Sequence, residues 1–238
     1  MASPPSIAII GAGPAGLCLA ALLHKRGIAS TVYELRAQPG PDALRAPSGM
    51  LDLHSDTGLA AVRACGLYHD FLPLTADCGQ GTTIMDKHGG VRHRDEGDGG
   101  RPEISRTALA SLLLSATPAG CVQWHHKLVD AQVLPSGRVR LDFGPRGPRE
   151  HDVVVGADGA WSRVRPLVTD ARPCHGGLWY TTLHIRDAAG RFPGLSALVG
   201  SGSCFVLGDG HGIATHRAVG GAISLHVSVA AAEAQADG

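Results

Sequence analysis

Ile7-Ala8-Ile9-Ile10 is a short, unbroken apolar run, the pattern of a parallel strand covered on both faces. From Ala15 to Arg26 the apolar positions Leu17, Ala20, Ala21 and Leu23 recur at helical spacing, and Gly27 supplies a stop. Thr31-Val32-Tyr33-Glu34 reads as a second strand, so a β–α–β unit opens the chain. Residues 37–50 carry three prolines and read as a loop. Asp56 to Cys65 has a helical pattern that ends at Gly66, and Thr82–Asp86 with Val91–Arg94 predicts a hairpin across Gly89-Gly90. A polar, Gly-rich loop then leads to a Leu-rich helix over Ser105–Ala116, with Ser105 as its N-cap.

Three runs, Val122–Trp124, Val129–Leu134 and Val139–Phe143, predict an antiparallel meander. Asp152–Val155 is a further buried apolar strand. From Trp179 onward short alternating runs dominate, at Tyr180–Ile185, Cys204–Leu207, Ile213–His216 and Ala222–Val229, and predict β-sheet. There is no internal repeat.

Charge changes this picture little. The 21 basic and 21 acidic residues cancel, which gives no electrostatic reason to expect nucleic acid or an anionic membrane surface as partner. The six cysteines contain no C-x-x-C pair and are expected to be free buried thiols in a reducing compartment. No secretory layout opens the chain and no run reaches the roughly 20 apolar residues of a membrane span, so a cytoplasmic protein is expected. Thirteen histidines invite a metal reading, but His211 and His216 have no acidic or Cys partner at ligand spacing, there is no H-E-x-x-H or comparable cluster, and no metal is expected. His125-His126 would point to opposite faces of a strand.

The chemistry begins with Gly11-Ala12-Gly13-Pro14-Ala15-Gly16. A G-x-G-x-x-G is weak evidence in a Gly-rich chain, yet this one follows a strand, opens a helix and is followed by an acid, Glu34, at the end of the next strand. Gly11 permits the tight turn, Gly13 lets the backbone approach a pyrophosphate, and Gly16 allows the helix to pack on the strand. Amide groups at the helix start hold the diphosphate, and Glu34 accepts hydrogen bonds from the adenosine ribose. The alternative is a Gly-rich turn that binds nothing. A dinucleotide is the expected ligand, held by Gly11, Gly13, Pro14, Ala15, Gly16 and Glu34.

A second element narrows the choice. Val153-Val154-Val155-Gly156-Ala157-Asp158-Gly159-Ala160-Trp161-Ser162-Arg163 is a buried strand running into Gly-Ala-Asp-Gly, with Ser and Arg expected at the head of a helix. Here the sequence resembles the class A flavoprotein monooxygenases of the p-hydroxybenzoate hydroxylase-like fold. An ordinary NAD-dependent dehydrogenase would share the first element and lack this one. The resemblance implies FAD as cofactor, with Asp158 and Gly159 in its site. It also implies an α/β fold, in which a Rossmann-like FAD-binding domain carries an inserted, mostly antiparallel β-sheet substrate domain. The FAD-binding domain is expected over 1–72 and 99–172, and the β domain over 73–98 and 173–238.

Ala46-Pro47-Ser48-Gly49-Met50-Leu51-Asp52-Leu53-His54 and Pro102-Glu103-Ile104-Ser105-Arg106 further resemble the tetracycline-inactivating flavin monooxygenases. By position, that resemblance implies that Asp52 and Arg106 contact FAD, that Arg36 lies against the adenosine half, and that Arg45 faces the nicotinamide cofactor's phosphate. A planar, permanently charged guanidinium suits the ribityl oxygens and diphosphate. For Arg106 and Arg45 the alternative is a solvated side chain. Thr182 and Ser203 fall where the relatives carry polar substrate contacts, though both differ in type from theirs.

The family resemblance implies the following cycle. NADPH or NADH reduces the flavin, O₂ is trapped as a C4a-hydroperoxide, and oxygen passes to a small aromatic, enolic or polyketide-like substrate. Because the cofactor performs the chemistry, no Ser-His-Asp or paired-carboxylate machinery is expected. A monomer is expected, with the organic substrate and O₂ as partners. Gly208-Asp209-Gly210 mimics the family's third flavin motif, but it lies between two β runs and is expected to be a hairpin turn. With that motif missing, the chain is expected to be C-terminally incomplete. The alternative to an active monooxygenase is then a non-catalytic, nucleotide-binding remnant.

Overall fold

The computed structural model describes residues 3–46, 48–75, 79–97 and 100–231. In chain order, the first elements are β1 (Ile7–Ile10), α1 (Pro14–Lys25), β2 (Thr31–Tyr33), α2 (Pro41–Arg45), β3 (Met50–Asp52), α3 (Gly58–Cys65) and α4 (Tyr68–Phe71). The middle of the chain forms β4 (Thr82–Asp86), β5 (Val91–Asp95), β6 (Glu103–Ser105), α5 (Arg106–Ser115) and β7 (Val122–Gln123). Next come β8 (Asp130–Val133), β9 (Val139–Asp142), β10 (Pro148–His151) and β11 (Val153–Gly156). The chain continues through β12 (Leu178–Ile185), α6 (Ala188–Arg191), α7 (Pro193–Val199), β13 (Ser203–Gly208), β14 (His211–Arg217) and β15 (Ile223–Ala230). They fall into two compact units, one of residues 1–44, 61–68 and 109–173, the other of 45–60, 69–108 and 174–238.

The first unit holds a parallel sheet in the order β11-β1-β2-β7. The Ile7–Ile10 run lies inside the sheet and pairs in register with Val153–Gly156 on one side and, from Ala8 on, with Thr31–Tyr33 on the other; Val153–Gly156 is an edge strand with Val153 exposed, and not the buried strand expected. Ala8 and Ile9 are fully buried, as strands covered on both faces require. A three-stranded antiparallel sheet, β10-β9-β8, lies in the same unit. The two sheets share a core of Ala8, Ile10, Tyr33, Leu128, Leu141, Phe143 and Val164, in which Tyr33 stacks on Phe143. Helix α1 begins with Pro14, whose missing N–H costs nothing at that position, and buries Leu17, Ala20 and Ala21. Cys18 on α1 faces Cys65 on α3 with the sulfurs 3.7 Å apart, and burial together with that neighbour pushes the Cys18 thiol up to about 12.

The second unit is built on a six-stranded sheet, β12-β15-β14-β13-β4-β5, antiparallel except where β13 runs beside β4. A short ladder, β3 with β6, sets Asp52 opposite Glu103. Helix α5 starts at Arg106, with the Ser105 hydroxyl accepting from the Ala108 amide as the expected N-cap. Asp209 and Gly210, both with positive φ, form the two-residue turn between β13 and β14, so Gly208-Asp209-Gly210 is a hairpin turn.

Several expectations need correction. Val122–Gln123 is an edge of the parallel sheet and not the first strand of the meander, because the Val32 and Glu34 amides bond to the carbonyls of Cys121 and Gln123. The meander's third strand is instead Pro148–His151. His125 lies in a turn with φ 58°, and His126 follows the turn instead of standing in a strand. After Gly156 the chain makes a turn and one 3₁₀ turn at Arg165–Leu167 in place of a helix; Pro166 disfavours the helical conformation for the residue before it. The expectation of buried thiols is also corrected: among the described cysteines Cys204 is buried, but Cys174 is exposed and Cys18, Cys65 and Cys121 are intermediate. Cys78 lies outside the described residues.

Candidate functional site

The turn after β1 is held by the chain's own packing. Gly11 has φ +105° and donates its amide to the Tyr33 carbonyl at 2.8 Å. A Cβ on Gly11 would lie 2.4 Å from the Ala157 carbonyl oxygen, and one on Gly16 would lie 1.9 Å from the Gly11 carbonyl oxygen and 3.3 Å from Ile9 Cγ2. These two glycines are therefore required for helix, turn and strand to meet at all. Gly13 is different: its φ is −73° and a Cβ there would meet nothing within 4 Å. The space over Gly13 is open, and it stands at the positive end of the twelve-residue helix α1.

Glu34, at the end of β2, is nearly buried and divides its carboxylate between two backbone amides. Oε2 accepts from Ala12 at 2.8 Å and Oε1 from Arg36 at 3.0 Å. The carboxylate thus fixes the turn, and each oxygen keeps acceptor capacity for a further donor. Asp158 shapes the opposite wall: Oδ1 accepts from the Ser162 hydroxyl at 2.6 Å and Oδ2 from the Arg163 amide at 2.7 Å. Its carboxylate is thereby committed to holding the loop that carries Gly159 (φ 81°).

Gly11, Gly13, Glu34, Arg36, Asp158 and Gly159 line one cavity of about 400 Å³ in the first unit. Pro14, Ala15 and Gly16 open the helix beside it. Sequence reasoning missed Tyr33, His126, Lys127, Trp161 and Arg163 on the same lining. His126 approaches both Tyr33 and Phe143 with its ring, and its Nδ1 lies 2.9 Å from the Trp124 carbonyl oxygen. Spacing carries no signal for His126, which follows a turn and not a strand, whereas Trp161 and Arg163 sit in the second element already singled out. The cavity therefore combines helix-start amides, an acceptor carboxylate, cationic side chains and an apolar floor. An open-faced glycine at a helix start beside an acceptor carboxylate fits the adenosine and diphosphate of a dinucleotide.

The other expected site residues lie in the second unit. Asp52 ends β3 and pairs with His54 Nε2 at 3.2 Å. Arg106 starts α5 and donates its amide to the Gly49 carbonyl at 2.9 Å, with its side chain alongside Gly49. Thr182 lies across β15 from His226, with Oγ1 2.9 Å from Nδ1. Strand register places Thr182, His226, Ala214 and Phe205 in one row and Ser203 two residues from Phe205, so Thr182 and Ser203 share a face of the sheet. Arg45 ends α2, and its side chain lies outside the described part of the structure. Among the described residues, no group of three or more His, Cys, Asp or Glu side chains could hold a metal ion, and no helix is long and apolar enough to cross a membrane.

Comparison with known proteins decides the family. Residues 5–183 match the FAD binding domain. The chain belongs to this family, the flavin-binding part of the class A monooxygenases. Among curated relatives of this FAD-binding family, the chain is similar to monooxygenase asqM of Emericella nidulans, 38% identical over 92% of this chain and 53% of that protein. It is likewise similar to monooxygenase penA of Penicillium thymicola, 41% identical over 90% of this chain and 52% of that protein. The chain thus spans about half the length of the curated relatives it matches. Among solved structures, tetracycline destructase Tet(51) has the same fold, with a TM-score of 0.71 and 17% identity over 97% of this chain and 58% of that one.

Proposed function

We propose that the chain forms the FAD-binding and substrate-side part of an NADPH- or NADH-dependent monooxygenase that hydroxylates a small aromatic, enolic or polyketide-like molecule with O₂. The observation that carries this reading is the open face of Gly13 beside Glu34, at the start of α1, in a chain of the FAD-binding family. Bound FAD would supply the redox and oxygen chemistry. In this reading the amides that open α1 bind the diphosphate, and Glu34 accepts from the adenosine ribose while keeping its two backbone partners. Arg36 lies against the adenosine, Asp52 and Arg106 contact FAD, and Arg45 meets the phosphate of the nicotinamide co-substrate. Asp158 acts through the loop it holds, which keeps Gly159 against the ligand. Thr182 and Ser203 meet the substrate. In functional terms we assign 1–72 and 99–172 to FAD and 73–98 and 173–238 to the substrate side.

The test is reconstitution of the purified chain with FAD, followed by NAD(P)H and O₂ consumption in the presence of candidate phenols and enols. A yellow protein whose NAD(P)H oxidation rises with substrate is expected. A chain that stays colourless after incubation with FAD overturns the reading.

A further inference from the structure

Helix α1 carries a pair of side chains that dinucleotide binding does not use. Its buried stripe of Leu17, Ala20 and Ala21 packs inward, and Cys18 stands at the edge of that stripe. Helix α3 buries Leu59 and Val62 and ends at Cys65. The two sulfurs lie 3.7 Å apart, and Cys65 Sγ is also 3.8 Å from the Cys18 carbonyl oxygen. A second contact fixes this pairing. About two helical turns beyond Cys18, Lys25 Nζ donates to the Ala64 carbonyl at 2.9 Å. One face of α1 therefore meets the end of α3 at two points, which sets the register between Cys18 and Cys65. All four residues belong to the first unit.

Neither cysteine is buried, which leaves both sulfurs open to a small reagent. A disulfide holds its sulfurs about 2.05 Å apart, so each sulfur here has about 0.8 Å to travel, the scale of a side-chain rotation rather than of a helix movement. The loop from Cys18 to Cys65 carries β2, Glu34, Arg36 and α2. Closing it would constrain the unfolded form of the segment that supplies the acceptor carboxylate of the dinucleotide site.

We propose that Cys18 and Cys65 are an oxidative modification site, which hydrogen peroxide closes into a disulfide that staples α1 to α3. The Cys65 thiolate attacks one peroxide oxygen; the S–O bond forms and the O–O bond breaks. The departing hydroxide takes up the proton that Cys65 released and leaves as water, and Cys65 is then a sulfenic acid. The Cys18 sulfur next attacks the Cys65 sulfur; the S–S bond forms and the S–O bond breaks. The second hydroxide takes the Cys18 proton and leaves as water. In all, the two thiols lose two electrons and two protons, and hydrogen peroxide becomes two waters. Cys65 reacts first because the Cys18 thiol, pushed up to about 12, keeps its proton at neutral pH. A dithiol reductant reverses the reaction by exchange.

The test treats the FAD-reconstituted full chain with hydrogen peroxide, raised until the exposed Cys174 is oxidised. Remaining thiols are then alkylated, and a chymotryptic digest is analysed by mass spectrometry without reductant. Cleavage after Tyr68 and Phe71 separates Cys65 from Cys78. A peptide linking Cys18 to Cys65, released by dithiothreitol, is expected. The oxidised chain should melt higher by roughly 5–15 °C, a rise that dithiothreitol removes. Cys18→Ala and Cys65→Ala should each abolish both the link and the rise. Phenylarsine oxide, which bridges two neighbouring thiols, should block the link in the native chain and so gives the answer without a variant. Oxidised Cys174 beside Cys18 and Cys65 that both remain open to alkylation overturns the proposal. A link from either residue to a different cysteine, or a linked chain that melts no higher than the reduced one, does so as well. The readout needs no flavin: a colourless chain that forms the staple overturns the proposed function and leaves the staple standing.

Discussion

Gly11, Gly13 and Gly16 have the same side chain and different reasons for having it. Gly11 and Gly16 are fixed by the polypeptide itself, since a Cβ on either would lie within 2.4 Å of a carbonyl oxygen. Gly13 meets nothing and has a φ that any L-residue adopts. The two kinds of constraint separate on mutation. Gly16→Ala is expected to destabilise the first unit by about 1–3 kcal/mol or more through overpacking, whether or not FAD is present. Gly13→Ala is expected to change stability by no more than about 1 kcal/mol, yet to weaken FAD by about tenfold or more, because its methyl group takes space meant for the diphosphate. Thermal melts of the two variants, with and without FAD, distinguish the cases. If Gly13→Ala binds FAD as tightly as the native chain, the open face over Gly13 is not the diphosphate site.

At the scale of elements, legibility in the sequence follows locality. The strand–turn–helix at the start was readable because its causes lie within a few residues: an apolar run, three glycines and a proline at the helix start. The Asp209-Gly210 hairpin was readable for the same reason. By contrast, β7 is two residues long and is defined by which strand accepts it, so its apolar pattern could not distinguish a parallel edge from a meander. The Ser203–His216–Glu103 contact was invisible because strand register and a segment a hundred residues away bring the three together. Element β10 presents a further pairing that no spacing shows: its last residue, His151, is buried with Nε2 3.0 Å from the Tyr33 hydroxyl. Burial holds this imidazole below its ordinary value of 6.5; the Arg138 and Arg149 charges reinforce the shift and Asp152 opposes it. Below about pH 6.5 the unfolded chain takes up a proton that the folded chain refuses. Stability is therefore expected to fall as pH drops below 6.5 and to level off once the folded imidazole also protonates. His151→Phe should flatten this acid limb in urea unfolding, while removing the Tyr33 partner costs about 1–3 kcal/mol at neutral pH. An unchanged acid limb in the variant would assign it to other groups.

For the whole molecule, the division into two units carries a consequence for ligand binding. Every residue lining the cavity beside α1 belongs to the first unit, and the core of that unit, from Ala8 to Val164, is its own. The cavity of about 240 Å³ lined by Ser203, His216 and Glu103 belongs entirely to the second unit. Recognition of the adenosine diphosphate end should then be a property of the first unit alone, separable from anything at the flavin ring. ADP, which lacks the flavin, is expected to bind the chain in competition with FAD. At about 100 times its dissociation constant it would stabilise the first unit by about 2.7 kcal/mol, which corresponds to a rise of roughly 5–10 °C in the melting temperature of a transition of this size. Glu34→Gln should reduce that rise, because one of its two acceptor oxygens becomes an NH2 donor that faces a backbone N–H and the carboxylate charge is lost. Ser203→Ala should leave it untouched. Differential scanning calorimetry of the three proteins with graded ADP makes the measurement. An ADP-induced rise that depends on Ser203, or is absent while FAD still binds, would show that the two units recognise the nucleotide together rather than the first unit alone.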